Sequence, residues 1–414
     1  MRMVLFLERS SMLLIALLCI ALLTTTAGTN VCVFVLLILA PWVWKNHQWP
    51  AGEWTLVKPL FVVISLFCLW DLVTNLLGGH SLVQSFEAMR HVRKFFFVLL
   101  LWPFFANARI SKLAILTLFA TVLVLAAANL VWTVLLDKNE LMLSSMPNMH
   151  GQILVGISLM LIYRAIQVRQ NAGLMWFAVA VLLCSLFFGS TRRTGYVLFL
   201  AGGLLLIVLS YRQHQYQKSK FFWACAGMLL ALVLFALLSS KFQHRMILIF
   251  SEYQEFFQLP EYERSKLSTS VGLRLQYLVS ALQIVREHLF FGVGSITFKP
   301  LFWEVNHAMG ATNPVIFAPN PHNEYLYTWA TKGLVGIILY LAIFFQACRI
   351  AAKRMSTWQR HGMWLFVCIF LLSIMFNSMS IDMIEGHFMM LVLLSFLAPR
   401  HIWSSDVKEN VSRK

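Results

Sequence analysis

Residues 320–325 read Asn-Pro-His-Asn-Glu-Tyr, and they close a polar and aromatic insert that begins near Lys241 in a chain otherwise made almost entirely of apolar spans. The same insert carries Arg264, Lys266 and Arg274, then Gly-Val-Gly at 292–294. Ordinary connections run to only about 2 to 8 residues, so a loop of roughly 80 on one face of such a chain is where function is expected.

Working outward from the insert, the composition sets the class. With 59% hydrophobic and 12% charged residues, the chain lacks the polar residues needed to cover a water-soluble surface. Apolar windows of about 16 to 24 residues, long enough for a ~30 Å hydrocarbon core, recur about twelve times. They fall near 10–27, 30–45, 56–78, 95–108, 113–135, 151–168, 174–190, 195–211, 221–240, 324–348, 362–379 and 385–399. The fourth contains Pro103 and the last is short, which suits tilted, kinked or partly re-entrant segments. The expected fold is an all-α polytopic membrane protein of about 12 transmembrane helices with one large helical loop. Its divisions are 1–240 (spans one to nine), 241–323 (the loop), 324–399 (spans ten to twelve) and a tail at 400–414.

The formal charge of +16 is not the footprint of a nucleic-acid binder, because most basic residues flank apolar spans and act as topology signals. With the N-terminus inside, cytoplasmic segments hold about 19 Lys and Arg against about 6 in the short outer loops, the long loop being exempt from the rule. Both termini are then expected in the cytoplasm and the insert outside. Arg2 and Arg9 before an apolar run resemble a signal peptide, but a second run follows directly after Gly28-Thr29-Asn30, which makes an uncleaved hairpin of two spans the expected reading. The seven cysteines all lie in or at the ends of apolar spans and suggest packing rather than disulfides or metal.

Two stretches of the insert have helical periodicity. Leu275, Leu278, Leu282, Val285 and Leu289 recur at alternating steps of three and four, and Ile247, Ile249, Phe250, Tyr253, Phe256 and Phe257 form a less regular face beside Glu252 and Glu255. Helices lying in the membrane interface fit both, and so does packing on the membrane bundle.

Charges in unexpected places nominate the chemistry. Thr-Arg-Arg-Thr-Gly at 191–195 puts two guanidinium groups in an outer turn, where an anionic partner such as phosphate would engage their planar forks. Snorkelling to lipid headgroups is the competing reading. In Asn320-Pro321-His322-Asn323-Glu324, Asn suits an N-cap and Pro the first helical position, so the tenth span is expected to start there with His322 in its first turn. A neutral imidazole beside an anion site is what a general base needs. Asp382 and Glu385 read as solvated carboxylates of the last outer loop, although Asp382 stays a candidate for substrate binding together with Arg193, Arg264, Lys266 and Asn323. There is no ligand cluster at metal spacing, no Walker loop and no Gly-x-Ser-x-Gly elbow, so chemistry without metal or cofactor is the default expectation. Asp71 and Lys332 lie within spans three and ten at similar depths, roughly 10 and 12 Å at 1.5 Å per residue, and would meet if those spans are neighbours.

Taken in order, Ser-Thr-Arg-Arg-Thr-Gly (190–195), Gly-Leu-Arg-Leu-Gln-Tyr (272–277), His-Leu-Phe-Phe-Gly-Val-Gly (288–294) and Pro-His-Asn-Glu-Tyr-Leu (321–326) resemble the O-antigen ligase family. That family sits within the O-antigen ligase and polymerase superfamily of bacterial membrane glycosyltransferases. The resemblance implies a GT-C-like architecture in the bacterial inner membrane. It implies transfer of an O-antigen glycan from undecaprenyl pyrophosphate to a sugar hydroxyl of the lipid A core, on the periplasmic face. It maps functional roles onto His322, Arg274 and Arg192, with Arg193 as the alternative for the last. The implied partners are the lipid-linked donor, the lipid A-core acceptor and membrane lipid, with no nucleic acid. The rival within the superfamily is the O-antigen polymerase, which often shows Arg-x10-Gly motifs. Here Arg192 meets Gly203 at that spacing in mid-span, and Arg274 meets Val285. A transporter of lipid-linked anions would show repeated halves, and none is found.

Overall fold

The structure is a computed structural model that describes residues 2–50, 52–136, 149–167, 172–189, 193–213, 240–258, 269–308, 320–378 and 382–398, with isolated positions at 226, 233 and 237. Its described elements are helical. They are α1 (Arg2–Thr24), α2 (Thr26–Asn46), α3 (Glu53–Leu77), α4 (Leu82–Ala88), α5 (Arg93–Phe105), α6 (Ala108–Leu130), α7 (Met149–Gln167), α8 (Ala172–Cys184), α9 (Arg193–Gln213), α10 (Ser240–Gln258), α11 (Ser270–Glu287), α12 (Ser295–Ala308), α13 (Glu324–Arg354), α14 (Thr357–Ser373) and α15 (Met383–Leu397). Single turns of π-helix extend α6 over Val131–Leu135 and α8 over Ser185–Gly189.

Length and apolarity make the chain a multi-pass membrane protein. Thr26–Asn46, Glu53–Leu77, Ala108–Val134 and Glu324–Arg354 are each long and apolar enough to cross a bilayer. Gly151–Ile166, Ala172–Phe188, Thr194–Leu209 and Ile384–Leu397 are shorter apolar helices. The expected window at 221–240 lies almost wholly outside the described residues.

The α3–α13 pair is the spine of the fold. The two helices run antiparallel, and an ion pair fixes their register near each end. Arg354 Nη2 lies 2.7 Å from Glu53 Oε1, and Lys332 Nζ lies 2.8 Å from Asp71 Oδ1. The depth count from sequence is therefore correct, and spans three and ten are neighbours. Arg354 also donates to the carbonyls of Leu397 at 3.1 Å and Ala398 at 2.8 Å, which ties in the end of α15.

α13 is not continuous. Gly333 takes φ 65 and ψ −168, a region open essentially only to glycine. The residues 292–294 fill the gap. Val293 N–H donates to Ala330 O and Gly294 N–H to Thr331 O, both at 2.9 Å, and Leu334 N–H donates to Leu289 O at 3.0 Å. Trp70 Nε1 of α3 donates to Lys332 O at 2.7 Å. The carbonyls of Ala330, Thr331 and Lys332 and the N–H of Leu334, freed by the break, are thus satisfied from outside the helix, as irregular backbone at membrane depth requires. A Cβ on Gly333 would fall 2.1 Å from Phe290 O, and one on Gly292 would fall 2.5 Å from Lys332 N. The His-Leu-Phe-Phe-Gly-Val-Gly segment is therefore the brace of a broken helix.

Around this spine the insert builds a second, smaller core. Tyr277, Ala281, Ile284 and Val285 of α11 pack with Val293, with Phe298 and Phe302 of α12, and with Tyr327 and Ala330 of α13. The expected leucine stripe on α11 is only partly the packed face. Val285 is buried, but Leu278, Leu282 and Leu289 are exposed. The helix is apolar on two sides, and periodicity located the side that the protein does not cover. α10 likewise exposes Ile247, Phe250, Tyr253 and Phe257 while burying Phe256. Its Glu252 Oε2 accepts from Val271 N–H at 3.0 Å, at the start of α11, where a carboxylate is favoured.

Candidate active site

The site forms where the N-terminal end of α13 meets α11, α14 and α15. Helix α13 begins at Glu324, not at Pro321, because Asn323 is the N-cap and its Oδ1 accepts from Leu326 N–H at 3.0 Å. His322 therefore lies outside the first turn, which corrects the sequence expectation. Asn320 has another role, its Oδ1 accepting from His322 N–H at 2.9 Å and from Ser378 Oγ at 3.4 Å. This side-chain turn holds His322 at φ 51, the only positive φ of a non-glycine residue among the described residues. Such a conformation costs on the order of 1 to 3 kcal/mol and persists only where the surroundings over-determine it.

Three neighbours fix the His322 ring. Tyr277 stacks on it, with centroids 6.0 Å apart and planes at 26°. Its Nδ1 lies 3.2 Å from Asn377 Oδ1. Arg274 stands one turn before Tyr277 on the same face of α11 and so looks into the same volume. Burial holds the imidazole below its ordinary pKa, the Asn377 hydrogen bond opposes that shift, and the Arg274 charge adds to it. The ring is kept neutral, the state a base requires.

Asn377 leads on to α15. Its Nδ2 donates to Asp382 Oδ2 at 3.2 Å, and Lys94 Nζ of α5 donates to the Asp382 carbonyl at 3.0 Å. Asp382 is the N-cap of α15, and burial raises its pKa against the opposing effects of Lys94 and Asn377. Neither acid is the solvated loop carboxylate expected from sequence, since Asp382 is half-buried and Glu385 is 3% exposed in the first turn of α15. Asn377 gave no signal in the sequence. Tyr277 did, through its three-residue spacing from Arg274.

The remaining nominated residues are placed unequally. Arg193 opens α9, and a Cβ on Gly202 would lie 3.2 Å from Ile369 of antiparallel α14. From that crossing, Arg193 is about 13 Å along one helix and Asn377 about 12 Å along the other, at 1.5 Å per residue. The start of α9 is thus level with the site. Asn323 serves as a cap. Arg192, Arg264 and Lys266 lie outside the described residues.

Residues 177–341 match the family model described as O-antigen ligase. This stretch, less than half of the chain, is similar to the O-antigen ligase family. The matched segment spans Arg192, Arg193, Arg274 and His322 but stops short of Asn377 and Asp382. The match supports a relation to the superfamily of O-antigen ligases and polymerases. No curated protein matches the chain.

Proposed function

We propose that the protein is an O-antigen ligase. It moves the glycan from undecaprenyl pyrophosphate to a hydroxyl of the lipid A core on the periplasmic face of the inner membrane, with both termini in the cytoplasm. The observation that carries this reading is the convergence of Arg274 and a neutral, half-buried His322 at the outer end of the broken α13. His322 takes the acceptor proton as the acceptor oxygen attacks the anomeric carbon. The bond from that carbon to the pyrophosphate breaks on the opposite side, so the configuration inverts and the electron pair leaves with the lipid pyrophosphate. Arg274, with Arg192 or Arg193, stabilises the charge that develops there.

The absence of a loop-borne Arg-x10-Gly favours ligase over polymerase, because Gly203 lies inside α9 and Val285 is buried. Reconstitution with lipid-linked glycan and two competing acceptors, core lipid A and a second lipid-linked glycan, tests the reading. Glycosylated core is the expected product, and exclusive elongation of the lipid-linked glycan would make the protein a polymerase.

A further inference from the structure

We propose that Asn377 is a positioning residue that, held by Asp382, fixes which nitrogen of His322 carries the proton. The argument rests on donor and acceptor bookkeeping. An amide side chain has one accepting oxygen and one donating nitrogen. Asn377 turns its oxygen to His322 Nδ1 and its nitrogen to Asp382 Oδ2, each at 3.2 Å. A carboxylate only accepts, so Asp382 selects the amide orientation. With the amide oxygen aimed at it, Nδ1 must donate, and the lone pair of the neutral ring is left on Nε2. Lys94 anchors the far end through the Asp382 carbonyl. The Asn320 turn and the Tyr277 face hold the ring against rotation. Asn377 itself is 8% exposed, which shields the relay from exchange with water.

The groups facing the ring are Arg274 and Tyr277 on α11, Asn320 in the turn and Asn377 after α14, with Asp382 and then Lys94 behind the amide. Arg274 is the cation whose charge bears on the ring, and Asp382 meets it through the amide. Replacing Asn377 by Asp would exchange a neutral acceptor for an anionic one, which favours the imidazolium. Replacing it by Leu would remove the acceptor, and both tautomers would then populate.

The inference deepens the ligase reading, since it names how that reading's base is set, but its decisive test needs no turnover. Full-length protein with 15N-labelled histidine rings is observed in nanodiscs, with H322Q as the difference reference. The wild-type ring is expected as the Nδ1–H tautomer, N377L as a mixture, and N377D as Nδ1–H with its imidazolium surviving to higher pH. An Nε2–H ring in the wild type overturns the proposal, as does a ring signal unchanged in N377L. If N377L does not fold, an unchanged ring titration in N377D overturns it. In the transfer assay, N377L should lose about tenfold or more in kcat with donor KM changed less than about twofold, as a wrong tautomer demands. An equal loss in donor binding would make Asn377 a substrate contact and overturn the positioning role. Wild-type protein that transfers no glycan would overturn the ligase reading alone, and the ring spectra would still decide the relay.

Discussion

Lys332 Nζ and Asp71 Oδ1 lie 2.8 Å apart in the membrane-spanning core, with exposures of 2% and 0%. The ammonium also sits over the rings of Phe67 and Tyr327 at 5.7 and 5.6 Å. The pair joins α3 to α13 at the residue before the break. It thereby couples the membrane bundle to the segment that carries His322.

Breaking this pair on one side leaves a buried charge without its partner. Asp71→Asn and Lys332→Met should each destabilise the protein by about 3 to 5 kcal/mol, and the double change Asp71→Leu with Lys332→Met by much less than the sum. Folded yield and thermal unfolding in detergent measure both. Additive losses would show that the two charges are held by other groups.

Gly333→Ala should impair folding more than the loss of a flexible residue would explain. Its φ and ψ are costly for any side chain, by about 1 to 3 kcal/mol, and the added Cβ would also meet the backbone of Phe290. Gly156→Ala gives the comparison, since a Cβ there meets nothing within 4 Å inside α7. Equal thermal stability of the two variants would contradict the brace.

The pH dependence of transfer follows from His322. Its pKa lies below the usual histidine range, so the ring remains neutral as pH falls through about 6.5, and activity should decline only at still lower pH. Arg274→Gln removes one cause of the depression and should move the acid limb upward while lowering the rate. His322→Ala should cost about 100-fold or more in kcat. An acid limb that stays in place in the Arg274 variant would separate the two residues functionally.

Arg274→Ala should lower transfer by about 100- to 1000-fold, the scale for losing a donor to developing charge. Arg274→Lys should recover little, because a point charge lacks the bidentate fork. The doublet at 192 and 193 can be resolved in the same assay, with the larger loss expected for Arg192→Ala. Wild-type rates for all three at equal membrane abundance would remove the pyrophosphate clamp.

Chelation provides an independent check. With guanidinium groups stabilising the leaving group, EDTA should leave the rate within about twofold of the untreated enzyme. A strict requirement for added Mg²⁺ or Mn²⁺ would overturn the metal-free mechanism.

The multi-pass, all-helical class was legible because apolar windows of membrane length are a strong signal, and four described helices are long and apolar enough to cross; the Asp71–Lys332 pair was legible because charges are so costly there that depth alone narrows the partner. The start of α13 was misplaced for a local reason. Asn320 and Asn323 both suit a cap, Pro321 makes the first the more conspicuous, and only the loop beyond shows that Asn320 is engaged with His322 and Ser378. On α11, apolar residues on two sides left periodicity unable to say which side meets protein. Asn377 reaches His322 across 55 positions of sequence, and no local pattern marks that contact.

The fracture at Gly333 has a mechanical consequence. Helix α3 splints both fragments of α13, holding the first through Asp71 and Trp70 and the second through Glu53. A change in bilayer thickness tilts a continuous helix as one rod. Here the break at Gly333 lets Leu334 to Arg354, tied to α3 at Glu53, turn separately from the first nine residues, which Asp71 and Trp70 hold. The height of His322 is then insulated from the lipid around it, and transfer rates should vary little between nanodiscs of short and long acyl chains.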